Sequence, residues 1–268
     1  MNATILSKNE TAAAIWDSGA SQYDRISRQI ADAIEHCVDR LYPTSGERIL
    51  DLATGTGWTA RRVAERGSRV CGVDLSSEAI EVARRLDPAE TIEWMQGDAE
   101  QLTFTDASFD AVISTFGIMF CSDQRAAAGE LARVCRPGGR ISLAVWADHG
   151  GVHDLFTIIS KYKPKPATGT PSPFAWCDPD RIHELLGNSF DLAVEQGVSL
   201  HRERAGEDAW EAFRDGYGPI RSLLPTLSKV RAAEFREEFI EYHEQHRTDV
   251  GVLVERPYSI ITGIRNHD

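Results

Sequence analysis

Arg48-Ile-Leu-Asp-Leu-Ala-Thr-Gly-Thr-Gly-Trp-Thr-Ala60 is the stretch whose reading decides the fold. Arg48 to Leu52 is an apolar run carrying one acid, too short for a helix and bounded by glycines, which predicts a buried parallel strand. Gly55 and Gly57 follow, and Thr59 to Glu65 has helical character. A strand, a glycine turn and a helix in that order aim free N–H groups and a partial positive charge at whatever lies over the turn. Glycine also lets a ligand approach where a Cβ would block it. The outline is that of a nucleotide or nucleoside site. By itself, Gly55-x-Gly57-x-x-Ala60 fits a dinucleotide fingerprint, or a tight turn with no ligand, equally well.

Outward from this stretch, strand and helix alternate as far as Trp146. The predicted strands are 48–52, 69–74, 91–96, 109–114 and 140–146, and the predicted helices are 59–65, 77–86 and 123–135. Such alternation specifies an α/β fold with a parallel sheet and helices on both faces, ligands sitting outside the carboxyl ends of the strands. Before it, the loose residues 1–10 lead into 11–42, where a helical stripe runs from Ile15 to Leu41 and stops at Pro43-Thr-Ser-Gly46. Beyond Trp146 the rhythm breaks. Residues 147–177, with Lys161-Tyr-Lys-Pro-Lys-Pro166 and Thr170-Pro-Ser-Pro173, read as an ordered loop. A helix over 179–186, a strand over 191–200, helices across 207–247 and a last strand over 251–264 follow. In that last strand, Pro257 and Gly263 mark an edge or an irregularity.

The 268 residues suffice for a full core, and a formal charge of −12 argues against a surface that tracks nucleic-acid phosphates. No apolar run has the length of a membrane span and the first ten residues lack a leader pattern, so no membrane association and a cytoplasmic location are expected. The five cysteines, 37, 71, 121, 135 and 177, are widely spaced with no C-x-x-C, which suggests neither a disulfide framework nor a zinc site.

Three acids stand at successive strand ends. Asp51 lies beside the glycine turn, where a carboxylate could meet a cation. Asp74 closes the second strand at about the spacing at which an acid meets ribose hydroxyls. A carboxylate suits a cis-diol because it only accepts and the diol supplies two donors. Asp98 follows Gly97, placed to accept from an exocyclic amine while the N–H of Ala99 bonds a ring nitrogen.

The series Ile49-Leu-Asp-Leu-Ala-Thr-Gly-Thr-Gly57, Gly72-Val-Asp74, Gly97-Asp-Ala-Glu100, Phe109-Asp-Ala-Val-Ile-Ser114 and Arg133-Val-Cys-Arg-Pro-Gly-Gly139 resembles the motifs of class I S-adenosylmethionine-dependent methyltransferases. It is most similar to the small-molecule branch of ubiquinone and menaquinone methyltransferases, over roughly residues 45–147. The resemblance implies a Rossmann-like, seven-stranded, mostly parallel sheet whose last strand is antiparallel, with helical and loop lid insertions. It implies S-adenosylmethionine as cofactor, with Asp51 near its ammonium, Gly55 and Gly57 facing it, Asp74 and Leu75 at the ribose, Asp98 and Ala99 at adenine, and Ser114 close by. Ala53 stands where the family's first glycine usually is, and the turn is expected to survive its methyl. Two other readings stay open: a non-catalytic nucleoside-binding module, and an NAD-dependent oxidoreductase. The latter is weakened because no tyrosine has a lysine four residues on.

On this reading residues 1–46 are N-terminal helices covering the site, and 47–268 form the methyltransferase domain, with insertions at about 147–189 and 201–249 building the acceptor side. The acceptor is expected to be a small hydrophobic or aromatic molecule methylated on O, N or C, in a pocket drawing on Tyr23, Phe116, Met119, Trp146, Trp176 and Trp210. His149 and His153, after the fifth strand, are candidate bases because histidine titrates near working pH. His243 and His246 sit three apart on a face taken as solvated and without the His-Glu-x-x-His spacing, so no metal is expected.

Overall fold

The structure is a computed structural model that describes residues 5–165 and 169–267. Its strands are β1 (Arg48–Leu52), β2 (Arg69–Asp74), β3 (Glu93–Gln96), β4 (Phe109–Thr115), β5 (Cys135–Trp146), β6 (Phe190–Glu203), β7 (Arg247–Thr248) and β8 (Gly251–Arg265). They form one sheet in the order β3-β2-β1-β4-β5-β8-β6, with the two-residue β7 paired to β8. β1 to β5 are mutually parallel, whereas β8 runs antiparallel to both β5 and β6. The seven-stranded sheet with an antiparallel last strand is as expected, β7 being a short addition.

Successive side chains of a strand point to opposite faces, so a strand buried at every residue is covered on both. The middle of β4 is such a stretch, with Ala111, Val112, Ile113 and Ser114 all at 0% exposure. The helices are α1 (Glu10–Gly19), α2 (Tyr23–Arg28), α3 (Ala31–Leu41), α4 (Trp58–Ala64), α5 (Ser77–Arg85), α6 (Gln124–Val134), α7 (Gly151–Ser160), α8 (Pro179–Leu186), α9 (Gly206–Gly216), α10 (Gly218–Leu223) and α11 (Lys229–Glu244). Burial divides into two clusters. One surrounds the sheet, and the other joins α7, α9, α10 and α11 through residues such as Trp210, Phe213, Phe235 and Phe239.

Three expectations change and one is refined. The start is less loose than expected: Ser7–Asn9 form a 3-10 turn tied to the sheet side, while residues 1–4 lie outside the described residues. The 11–42 stripe is three helices, and Gly19 ends the first where a Cβ would stand 2.5 Å from the backbone nitrogen of Gly218. The expected loop 147–177 contains α7, whose Leu155, Ile158 and Ile159 bury one face. The prolines that suggested a loop come after it, and Pro166 lies outside the described residues. Finally, Pro257 is not on an edge strand. β8 lies between β5 and β6, and the Pro257 carbonyl accepts from Ala147, the first residue past the end of β5. Backbone N and O of one strand residue point the same way, so the missing N–H faces Ala147 just past the end of β5, and proline forgoes only the return bond of that terminal pair.

Among the described residues no helix is long and apolar enough to cross a membrane.

Candidate nucleoside-binding site

A cavity of about 140 Å³ opens over the carboxyl ends of the central strands. Its walls are Leu52 to Gly55 at the end of β1, Val73 to Ser76 at the end of β2, Gly97 to Glu100 after β3 and Thr115 to Gly117 at the end of β4. Asn9, Ala12, Trp16, Ala20, Tyr23, Ser27, Ile30 and Ile34 close it from the N-terminal helices.

The β1–α4 turn is built from left-handed residues: Ala53 at φ +56°, Gly55 at +57° and Gly57 at +80°. Ala53 is the departure from the family pattern, and Gly117 compensates for it. A Cβ on Gly117 would stand 2.4 Å from the Ala53 Cβ, so the Ala53 methyl fits because residue 117 is a glycine. Gly117→Ala is therefore expected to cost about 1–3 kcal/mol from overpacking. Ala53→Gly alone should change stability little, because relief of about 1–2 kcal/mol of left-handed strain offsets a looser unfolded chain. The double variant should recover part of the loss, and additive melting shifts for the two changes would refute the pairing.

Gly55 lines the cavity, its open side facing the Tyr23 ring at 3.6 Å from an added Cβ. Gly57 does not line it. A Cβ there would meet the Trp94 ring at 2.2 Å, so this glycine serves close packing of the helix start.

Asp74 is fixed by two backbone donors, Gly55 N to Oδ2 at 2.7 Å and Ser76 N to Oδ1 at 2.8 Å. Burial pushes its carboxyl above the usual range and the donors pull it back. Ser76 in turn donates its hydroxyl to Asp17 of α1 at 2.6 Å. Leu75 lies next in the wall. Asp51 is fully buried behind the turn and does not line the cavity; the Thr54 hydroxyl donates to its Oδ2, while Oδ1 has no partner. Burial pushes its carboxyl up to about 7. Asp98 and Ala99 line the far end, where Asp98 Oδ1 accepts from Glu100 N at 3.0 Å and Oδ2 from Asn9 Nδ2 at 2.9 Å. Ser114 is buried one residue short of the wall, its hydroxyl accepting from Ile118 N at 3.2 Å, and Thr115 takes the lining position with its hydroxyl 2.6 Å from that of Thr59.

The bulky residues divide. Tyr23 and Phe116 line the cavity; burial pushes the Tyr23 phenol up to about 12, with the Asp74 charge adding to it. Phe116 holds a left-handed φ of +59° and stacks on Trp146 at 3.7 Å, so Trp146 supports the wall without forming it. A bulky residue in that conformation is strained, and such strain clusters at functional sites. Met119 is buried beside the wall, Trp176 is fully buried in the main core, and Trp210 packs edge-on to Phe235 and Phe239 in the second cluster; none of the three lines the cavity. Trp16 and Phe120, in edge-on contact at 5.4 Å, line it instead.

The two candidate bases are not brought to the cavity. His149 is 67% exposed beside Asp148, and His153 is 41% exposed against the Phe174 ring. The start of α7 explains this for His153: a Cβ on Gly151 would stand 2.4 Å from Val254, so that side of the helix is pressed on β8 and the residue two positions on points outward, while His149 lies before the helix begins. His243, taken as solvated, is at 0% exposure, its Nδ1 2.8 Å from the Phe239 carbonyl of its own helix. Among the described residues no group of three ligand-type side chains could hold a metal.

Asn9, Asp17, Thr54 and Glu100 are site residues that the sequence did not single out. Only Thr54 and Glu100 had a signal, being inside motifs already quoted; Asn9 and Asp17 come from segments distant in sequence.

A doubly wound sheet with an acid-lined cleft at the ends of its strands defines a nucleoside-binding α/β protein. Comparison narrows the class. Residues 50–143 match the family described as a methyltransferase domain. An uncharacterized protein of Mycobacterium tuberculosis is 32% identical over 223 residues, covering 81% of each chain. A demethylmenaquinone methyltransferase of Clavibacter sepedonicus is 37% identical over 147 residues, covering 53% of this chain and 60% of that one. Among solved structures, phosphoethanolamine N-methyltransferase 2 of Haemonchus contortus, in complex with S-adenosyl-L-methionine, superposes with a TM-score of 0.59 at 20% identity, covering 98% of this chain and 61% of that one. Residues 50–143 thus form a domain of the methyltransferase family, whose cofactor is S-adenosylmethionine.

Proposed function

We propose that this cleft binds S-adenosylmethionine and that the protein transfers the methyl group to a small hydrophobic or aromatic molecule. The observation that carries the reading is the charge of the wall. Among the described residues it holds Asp74, Asp98 and Glu100 and no lysine, arginine or histidine. A cofactor with a sulfonium and an ammonium suits such a wall, whereas the diphosphate of NAD would meet like charge without a cationic partner. The orphaned Asp51 Oδ1 behind the turn also fits an incoming ammonium better than an anion.

Bound there, S-adenosylmethionine supplies an electrophilic methyl for in-line displacement. The chain's own residues orient and exclude water: Asp74 accepts from the ribose hydroxyls, Asp98 and Ala99 meet adenine, Gly55 leaves room for the methionine portion, and Asp51 balances its ammonium. Trp16, Tyr23, Ile30, Ile34, Phe116 and Phe120 give the remaining wall its apolar character and favour an apolar acceptor. The name of the Clavibacter relative points to the same class. Residues 5–46 then act as the cover of the site, and among the described residues the wall has no histidine to serve as base. Alignment alone contributes about 7–11 kcal/mol to such reactions, so an acceptor that arrives ionised or nucleophilic needs no base. His149→Ala and His153→Ala are expected to keep full turnover across pH, and loss of turnover in either would return it to the mechanism.

Isothermal titration with S-adenosylmethionine, S-adenosylhomocysteine and NAD tests the reading. The first two should bind and NAD should be silent; NAD binding alone would overturn it. Binding with no methyl transfer to any acceptor tried would favour a non-catalytic module.

A further inference from the structure

Asn9 lies 89 residues before Asp98 and has no part in the motif series, yet the two side chains meet. Asn9 Nδ2 donates to Asp98 Oδ2 at 2.9 Å, and Leu6 N donates to the same oxygen at 3.2 Å. Both side chains are buried, Asn9 at 4% exposure and Asp98 at 2%, and both line the cavity. The orientation of the Asn9 amide is set by Asp98 itself, because a carboxylate only accepts and so draws the NH₂, while the Ser122 hydroxyl lies 2.7 Å from Asn9 Oδ1 and 2.9 Å from Glu100 Oε1. Beside it, Lys8 Nζ reaches Glu100 at 2.7 Å, so residues 6–9 are docked on the Asp98 loop at several points.

We propose that Asn9 is a positioning residue for adenine recognition: it holds Asp98 as a fixed acceptor for the exocyclic amine. The inference rests on the cofactor proposed above. Each carboxylate oxygen accepts about two hydrogen bonds. Oδ2 is saturated by Leu6 and Asn9, whereas Oδ1 accepts from Glu100 N at 3.0 Å and keeps one direction free. A donor on the nucleoside takes that direction. A nucleoside with a carbonyl in place of the amine presents acceptor to acceptor and is rejected, provided the carboxylate cannot turn away. Asn9 supplies that restraint, and the N-terminal segment thereby becomes part of the specificity of the site.

The test compares S-adenosylhomocysteine with S-inosylhomocysteine, in which a carbonyl replaces the amine and the neighbouring ring nitrogen gains a hydrogen, by calorimetry on the full chain. The wild-type protein should prefer the adenosyl compound by roughly ten- to a hundredfold, the range for a hydrogen bond to a charged group. In Asn9→Ala that ratio should fall by about fivefold or more, mainly through loss of adenosyl affinity. Asn9→Asp, nearly isosteric, should narrow the ratio likewise and serves if the alanine variant does not fold. A ratio unchanged in the variants, with both affinities falling together or neither moving, would overturn the role of Asn9 while leaving the cofactor reading intact. Failure of the wild-type protein to bind either compound would overturn both.

Discussion

Asp74→Ala is expected to weaken S-adenosylmethionine binding by about ten- to a hundredfold, or 1.5–3 kcal/mol, the range for a hydrogen bond to a charged group. Two backbone donors hold the carboxylate, Gly55 N on one oxygen and Ser76 N on the other, so its remaining lone pairs point at the cavity without rotational freedom. Pre-set acceptors of this kind spend little entropy on binding. The same bonds complicate the variant, because alanine leaves Gly55 N and Ser76 N without acceptors. Asp74→Asn separates the two effects: it keeps the volume and one acceptor, but offers an NH₂ where a diol hydroxyl needs an acceptor. Both variants should lose affinity if the carboxylate holds a diol. Calorimetry on folded Asp74→Ala with unchanged affinity would sink the ribose assignment, and retention in Asp74→Asn alone would show that the loss in alanine comes from the turn.

How much of this could be read beforehand follows how local each feature is. The order of strands and helices and the acids at strand ends were legible because strand, turn and helix signals lie within a few residues of one another. Helix α7 was hidden by the prolines that follow it. What the sequence conceals is pairing across distance. Ala53 violates a family pattern, and its compensation, Gly117, is 64 positions away in the chain. Asn9 and Asp17 reach the site only because α1 crosses the cleft, tied to Asp98 at one end and to Ser76 at the other. His149 and His153 failed to reach it for the reverse reason: nearness in sequence to the end of β5 says nothing of which way α7 turns as it packs on β8. Trp176 and Trp210 have the bulk that a pocket wall needs, and bulk is also what the two cores select.

Asp51→Asn should change how stability and cofactor affinity depend on pH. In the ligand-free protein the Asp51 carboxyl is pushed up to about 7, first by burial and also by the nearby Asp74 charge, against the opposing hydrogen bond from Thr54 and the charge of Arg61. An unfolded aspartate titrates near 3.9. A folded value above the unfolded one means that the neutral form is favoured in the fold, so the stability this group contributes is fully present below about pH 4 and is lost as pH rises through about 7. Asparagine cannot ionise. Its amide still sits where Oδ1 has no partner, but that cost does not vary with pH. Relative to wild type, the ligand-free variant should therefore gain on the order of 2–4 kcal/mol of stability between pH 4.5 and pH 8. A cofactor ammonium reverses the logic, because it stabilises the ionised carboxylate. Wild-type affinity for S-adenosylmethionine should rise from pH 5.5 to 7.5 with release of a proton, seen as binding heats that depend on buffer ionisation, while the asparagine variant should bind more weakly and with a flatter pH profile. Parallel stability curves for the two proteins across that range would mean that Asp51 titrates normally, and a buffer-independent heat would remove it from the ammonium.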